Sequence, residues 1–228
     1  EEIYAQVTKY KFDGIVVECG FPGFFQLFLN EISYLLHRDH RLLIVVLPSF
    51  VTPEHKQFLK PEIVNSLARF VDRFSMMTYD YSTHDPNGGP SAPIEWIMEN
   101  IEHVAPTEEK RSKFLIGMNM YAMSYLQTRT PEPLVMKTVI EKLADQPVEV
   151  DDELFDDTES DGSNTEELNW DKDSQEAWFV DIDEDGTRQG TIWVPTLRSI
   201  KSRVRLAEDY GVGIALWEVG QGLDYFVS

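Results

Sequence analysis

Residues 42–47 read Leu-Leu-Ile-Val-Val-Leu. Six consecutive apolar side chains, with Ile44, Val45 and Val46 β-branched, leave neither face for water. That is the pattern of a strand covered on both sides within a parallel sheet. Working outward, Phe12–Val17 reads as an earlier strand. Between the two, residues 23–38 carry Phe25, Leu27, Phe28, Ile32, Leu35 and Leu36 at helical spacing. Downstream, residues 53–70 read as helical after Pro61, and Phe74–Tyr81 (FSMMTYDY) is a third strand. Ile94–Val104 is a helix with Trp96, Ile97 and Ile101 on one face, and Phe114–Tyr121 (FLIGMNMY) is a fourth strand. A helix over Pro133–Leu143 follows. Two alternating runs, Ala177–Asp183 and Gly190–Val194, flank the turn signal Asp185-Gly186 and predict a β-hairpin over 177–194. Thr196–Tyr210 is a helix and Gly213–Val219 (GIALWEV) the fifth strand. Strands alternating with helices argue for an α/β fold around a parallel sheet, with right-handed crossovers. An open doubly wound sheet and a closed barrel both fit this order. No Gly-rich phosphate loop follows any strand: Cys19-Gly20-Phe21-Pro22-Gly23 is not GxGxxG, and no GxxxxGK occurs.

The chain has 228 residues, whereas a complete α/β barrel takes roughly 250. It opens on Glu1-Glu2 in place of Met, which reads as a fragment or a processed form, so the lack of a leader pattern says little about compartment. The net charge of −20 argues against nucleic acid, whose binders neutralise phosphates with Lys and Arg, and against anionic membrane surfaces. No apolar run approaches the roughly 18 residues needed to insert across a bilayer. The single cysteine, Cys19, excludes an intramolecular disulfide and a Cys-rich zinc site. Half of the net charge sits in residues 149–167, which hold ten acids and no Lys or Arg. With almost nothing to bury, residues 149–169 are expected to form a solvated, disordered acidic loop.

In a barrel the chemistry lies at the C-terminal ends of the strands. Those ends read Glu18-Cys19-Gly20, Tyr79-Asp80-Tyr81, Asn119-Met120-Tyr121 and Trp217-Glu218. Aromatic faces stack on the C–H face of a pyranose, while carboxylates and amides take its hydroxyls. The inventory suits a sugar, and other polar ligands as well. Each residue also has a plainer role. Trp217 could cap the core, Tyr79 and Asp80 could be a buried tyrosine and its hydrogen-bond partner, and Asn119 could be a strand-end hydrogen bonder. Cys19 has no neighbouring base to activate it. No cofactor or metal site is expected. Asp181–Gly186 starts like an EF-hand loop, but Ile192 stands where the bidentate Glu is required, and the five histidines show no ligand pairing.

Phe12-Asp13-Gly14 on one strand, Met77-Thr78-Tyr79-Asp80 on a later one, residues 117–121 on the next and Trp217 on the last resemble glycoside hydrolase family 18, the chitinases. The phrases FDGIVVE, FSMMTYDYS and LWEVGQGLDYF are similar to the chitinase-domain-containing (stabilin-interacting chitinase-like) branch. The resemblance implies a (β/α)8 TIM barrel of which residues 1–228 hold a C-terminal part, strands four to eight, with the hairpin inserted before the last strand. It implies an oligosaccharide or glycan as ligand, chitin type above all, and a scavenger-type receptor as partner. It implies a secreted or lysosomal setting. The saccharide-binding positions would be Trp217 as stacking floor, Tyr79 and Asp80 as hydrogen bonders, and Met77, Asn119 and Tyr121 flanking.

Family-18 chitinases resemble D-G-x-D-x-D-x-E along one strand. Residues offset by two share a face, so the carboxylates all point one way. The final Glu protonates the leaving oxygen while the substrate's own N-acetyl group attacks. Laid without gaps, the first Asp is Asp13, the second position holds Val16, the third Glu18, and the catalytic Glu position holds Gly20. Glycine has no proton to give. Glu18 shares the parity but sits two residues short, about 6.7 Å deeper at roughly 3.3 Å per residue. A deletion of two residues would keep parity and move Glu18 into the acid's place, but Val16 or Val17 would then replace the assisting Asp. The expectation is therefore a pseudoenzyme: a chitinase-like, lectin-like saccharide-binding protein, non-catalytic or very weakly catalytic, with no catalytic residue assigned. The alternative is an active hydrolase on N-acetylglucosamine polymers with Glu18 as general acid and Asp13 in the motif.

Overall fold

A computed structural model describes residues 1–126, 130–145, 168–183 and 185–226. The acidic stretch at 149–167 lies outside the described residues. The chain divides into two compact units: Glu1–Tyr79 with Glu95–Met118 and Val204–Ala215, and Asp80–Ile94 with Asn119–Arg203 and Leu216–Ser228.

The first unit opens on helix α1 (Glu2–Tyr10), which the sequence reading passed over because only Val7 in it is buried. Strands β1 (Gly14–Val17), β2 (Leu42–Leu47) and β3 (Arg73–Met76) follow, separated by α2 (Gln26–His37) and α3 (Pro61–Leu67). After β3 come α4 (Ile94–Val104), α5 (Glu108–Arg111) and β4 (Phe114–Asn119). Strands β1 to β4 pair in parallel, with Val16 opposite Ile44, Leu47 opposite Met76, and Met76 opposite Ile116. Their sheet is completed beside β4 by the last strand of the chain, Gly213–Trp217, while β1 forms its other end.

The βαβ rhythm read from the sequence is the one observed, with every strand of this sheet but Leu42–Leu47 shorter than read. Phe74–Tyr81 was expected as one strand, but regular pairing stops at Met76. Thr78 still bonds sideways to the Gly117 carbonyl at 2.9 Å, and the chain then turns off at Asp80, whose φ of 64° is left-handed. Aspartate tolerates that conformation better than most residues. The core of this unit is Leu29, Leu36, Leu43, Leu47, Phe74 and Ile97, all fully buried. On α4, buried Asn100 accepts from Phe50 N at 2.9 Å and donates to Trp96 O, and the Trp96 indole donates to Phe50 O at 2.5 Å. A polar helix position thereby fixes the loop after β2.

The second unit carries an antiparallel sheet larger than the single expected hairpin. Its strands are β5 (Ala122–Leu126), β6 (Glu132–Leu134), β7 (Asn169–Asp171), β8 (Glu176–Ile182) and β9 (Arg188–Val194), in the order β6-β5-β9-β8-β7. Strands β8 and β9 form the hairpin, with Phe179 opposite Ile192. Helix α6 (Met136–Asp145) packs Met136 and Val139 with Ala122, Ala177, Phe179, Ile192 and Val194 in a small core. Helix α7 (Leu197–Tyr210) leads to β10 (Gly213–Trp217). Among the described residues no helix is long and apolar enough to cross a membrane.

Candidate functional site

Four of the residues singled out in the sequence lie in the second unit: Asp80, Asn119, Tyr121 and Trp217. Their positions follow from the chain turning at strand ends. Asp80 sits beyond β3, Asn119 closes β4, Tyr121 immediately precedes β5, and Trp217 closes β10.

The Tyr121 hydroxyl donates to Asp80 Oδ1 at 2.8 Å. Burial pushes the Asp80 carboxyl above its usual range, and the Tyr121 donation pulls only partly against this. Asp80 is half-buried at this turn. Asn119 Nδ2 donates to the Tyr121 carbonyl at 2.8 Å, so this amide is in part the strand-end hydrogen bonder foreseen as its plain role. The Met120 N–H donates to Trp217 O at 3.0 Å, which ties the two strand ends together at backbone level. Half-buried Trp217 packs, together with Trp193, against a buried cluster of Tyr121, Met123 and Tyr125.

Tyr125 was missed in the sequence. It lies 6% exposed, and its hydroxyl has no hydrogen-bond partner among the described residues. A buried hydroxyl without a partner is costly, which marks it as a place where a ligand atom would be welcome. Burial, then the fields of Asp80, Glu176 and Asp85, push its pKa well above the ordinary tyrosine value, so it stays a neutral donor. The signal was available: Tyr121, Met123 and Tyr125 recur with period two and share one face. Gly88, at φ 72°, lies so close to this ring that a Cβ would come within 2.4 Å of it. Only glycine lets the loop rest there.

The remaining candidates belong to the first unit. Tyr79 is buried, with its ring against Gly117, where a Cβ would meet the ring at 2.7 Å and Met76 O at 2.3 Å. Met77 is half-buried. Asp13 precedes β1 and is exposed. Glu18 was expected deep in the packed interior. It is instead exposed, one residue past the end of β1, a strand at the end of its sheet in which Val16, of the same parity, is exposed as well. Depth therefore gives no ground for denying Glu18 a role, and the case for silent chemistry rests on Gly20 and Val16 alone. Gly20 adopts φ 62°, and a Cβ there would meet nothing within 4 Å. Burial and then the Glu18 charge push the Cys19 thiol up, which keeps it a poor nucleophile near neutrality. Among the described residues no group of three or more His, Cys, Asp or Glu side chains is placed to hold a metal ion.

The chain is similar to solved structures that include the following three. A chitinase from Chromobacterium violaceum is 20% identical with a TM-score of 0.77, over 98% of this chain and 67% of that one. A class V chitinase from Pseudomonas fluorescens is 19% identical with a TM-score of 0.72, over 99% and 68%. The spore cortex-lytic enzyme SleL of Bacillus megaterium is 19% identical with a TM-score of 0.72, over 96% and 48%. The chain thus spans about half the length of the spore enzyme and two thirds of the chitinases. At these identities the likeness is one of fold, and that fold is of TIM-barrel type. The family described as glycosyl hydrolases family 18 matches residues 1–222. By that match over nearly its whole length, the chain belongs to glycosyl hydrolases family 18.

Proposed function

We propose that this protein binds a saccharide of N-acetylglucosamine type without hydrolysing it efficiently. The observation that carries the reading is the Asp80–Tyr121 pair, set into an aromatic cluster that holds half-buried Trp217 and the Tyr125 hydroxyl, which has no partner among the described residues. A sugar needs a flat apolar surface and a few fixed hydrogen-bond groups. The Trp217 indole supplies the first, and Asp80 and Tyr125 supply the second. Asn119 adds the end of β4 to this set, and Tyr79 and Met77 are proposed as saccharide-binding residues by the family resemblance alone. Family membership supports a glycan ligand, and the resemblance to the chitinase-domain-containing branch supports a secreted or lysosomal setting and a scavenger-type receptor as partner.

Gly20 at the acid's place supports the absence of efficient catalysis. Losing a positioned general acid costs about 10²–10⁴ in rate. A second reading, hydrolysis with Glu18 as the acid and Asp13 in the motif, is favoured by one observation: the Glu18 side chain is open to solvent at a strand's C-terminal end.

The test is a tryptophan-fluorescence titration with chitotetraose. Saturable quenching that Trp217→Ala abolishes is expected. Undiminished quenching in that variant would remove Trp217 from the site, and no change in the wild type would remove the saccharide.

A further inference from the structure

Glu176 and Arg203 form an ion pair at 2.6 Å in which both side chains are buried. Buried ion pairs are weak stabilisers, because desolvating two charges offsets most of their attraction. This one is distinguished by its other partners. Glu176 Oε1 accepts from Ala92 N at 2.6 Å, and Oε2 accepts from Ser91 N at 2.8 Å. Arg203 Nη2 donates to Ala92 O at 2.5 Å, and Nη1 to Gln175 O and Ser199 O at 2.9 Å each. The pair therefore grips the backbone of residues 91–92 by two amides and one carbonyl.

Ser91 hands that grip on. Its Oγ accepts from Asp80 N at 3.0 Å, and its carbonyl accepts from Tyr81 N at 2.8 Å. These bonds span the turn at which Asp80 takes its left-handed conformation. An isolated aspartate at φ 64° would leave that region at little cost, and here both flanking amides are pinned. The Asp80 carboxyl is thereby presented to Tyr121.

We infer that Glu176 and Arg203 are positioning residues, through which the start of β8 and helix α7 fix the Asp80 carboxyl for its ligand. The inference deepens the saccharide reading and rests on it. It adds that ligand affinity is set partly by a charge pair that never touches the ligand.

Glu176→Gln tests it. The amide group of Gln replaces one acceptor oxygen with a donor that faces a backbone N–H, so Ser91 or Ala92 loses its bond while volume is kept. Hydrogen exchange at residues 80–92 is expected to speed up at least tenfold, with β5 and β9 unchanged. Chitotetraose affinity is expected to fall roughly ten- to a hundredfold, the size of one lost charged hydrogen bond. Asp181→Asn breaks the Lys142–Asp181 pair, which lies on the same strand at 2.9 Å but does not touch residues 80–92. It should leave exchange there unchanged. Should Glu176→Gln not fold, Ser91→Ala removes only the Oγ that receives Asp80 N, and should weaken affinity several-fold and speed exchange at residues 80–92 with β5 and β9 unchanged.

Unchanged exchange at 80–92 and unchanged affinity in a folded Glu176→Gln would overturn the inference while leaving the saccharide reading intact. Faster exchange throughout the unit would overturn it too, by making the pair purely structural. Faster exchange confined to 80–92 in a protein that binds no chitotetraose would support the positioning role and remove the saccharide reading.

Discussion

Replacing Tyr121 with phenylalanine takes one hydroxyl from a side chain that is 4% exposed and leaves its ring in place. The hydroxyl donates to Asp80 Oδ1 at 2.8 Å, and no other side-chain donor to that carboxylate occurs among the described residues. A hydrogen bond to a charged group contributes about 1.5–3 kcal/mol, and one to a neutral group about 0.5–1.5 kcal/mol. The loss should therefore depend on the charge of Asp80. Burial already holds that carboxyl above its ordinary value, and removing the Tyr121 donor raises it further. A carboxyl with a raised folded-state pKa stabilises the fold below its unfolded pKa, and that contribution is lost as pH rises through the folded value. The variant's deficit should thus be smallest below about pH 3.5 and complete near neutrality, with a difference of roughly 1–2 kcal/mol between the two. For a chain of this size 1 kcal/mol shifts the melting temperature by about 2–4 °C. Thermal unfolding of Tyr121→Phe and wild type at pH 3.5 and pH 7.5 should give a gap wider by roughly 2–8 °C at the higher pH. Equal gaps at both would refute the reasoning, because Asp80 would then be neutral throughout or would not depend on Tyr121.

Asp72 provides the opposite sign. Burial pushes its carboxyl up, but the Leu43 N–H at 2.8 Å and the His37 ring at 2.9 Å outweigh this and hold it below the usual value. A depressed carboxyl contributes stability above its unfolded pKa and loses it as pH falls through the folded one, so Asp72→Asn should cost about 1 kcal/mol near neutrality and little in strong acid. Urea unfolding at the two pH values checks it. At Gly117, a Cβ 2.3 Å from Met76 O must force the strands apart, and Gly117→Ala should cost about 2–3 kcal/mol by chemical denaturation and perturb the Tyr79 environment in near-ultraviolet circular dichroism. Gly20→Glu places a carboxyl where nothing lies within 4 Å, at a left-handed φ that costs about 1–2 kcal/mol. Turnover of a fluorogenic chitobioside by this variant should exceed the wild type at least tenfold, as general acid catalysis supplies about 10²–10⁴ when well placed.

The parallel sheet was legible because most of its strands are short apolar runs separated by helical stretches. Leu42–Leu47 is the clearest, and its ends in the structure are the ends read from the sequence. The antiparallel sheet was legible only at β8 and β9, where alternation and Asp185-Gly186 coincide. Strands β6 and β7 have three residues each, too few for periodicity to register, and β5 runs on from Phe114–Tyr121 without an intervening turn signal. Helix α1 offers one buried residue and hence no stripe.

At the site, residue type revealed Tyr121, Asp80 and Trp217, since aromatics and acids at strand ends stand out. Their pairing was not legible, because the left-handed turn at Asp80 decides it. The alternation of Tyr121, Met123 and Tyr125 was legible, but not that the Tyr125 hydroxyl lacks a partner among the described residues, which only the folded geometry shows. Glu176 and Arg203 went unseen because each reads as an ordinary surface charge, and only the fold brings residue 203 to residues 91, 92 and 176. The depth of Glu18 was misjudged because β1 forms an end of its sheet, where Val16, of the same parity, is exposed as well.

Isothermal titration of the wild-type protein with chitotetraose addresses binding and hydrolysis in one trace. Saccharide binding without efficient hydrolysis predicts a saturable heat that returns to baseline after each injection. A sustained heat that persists until the sugar is consumed, or no heat at all, would contradict it.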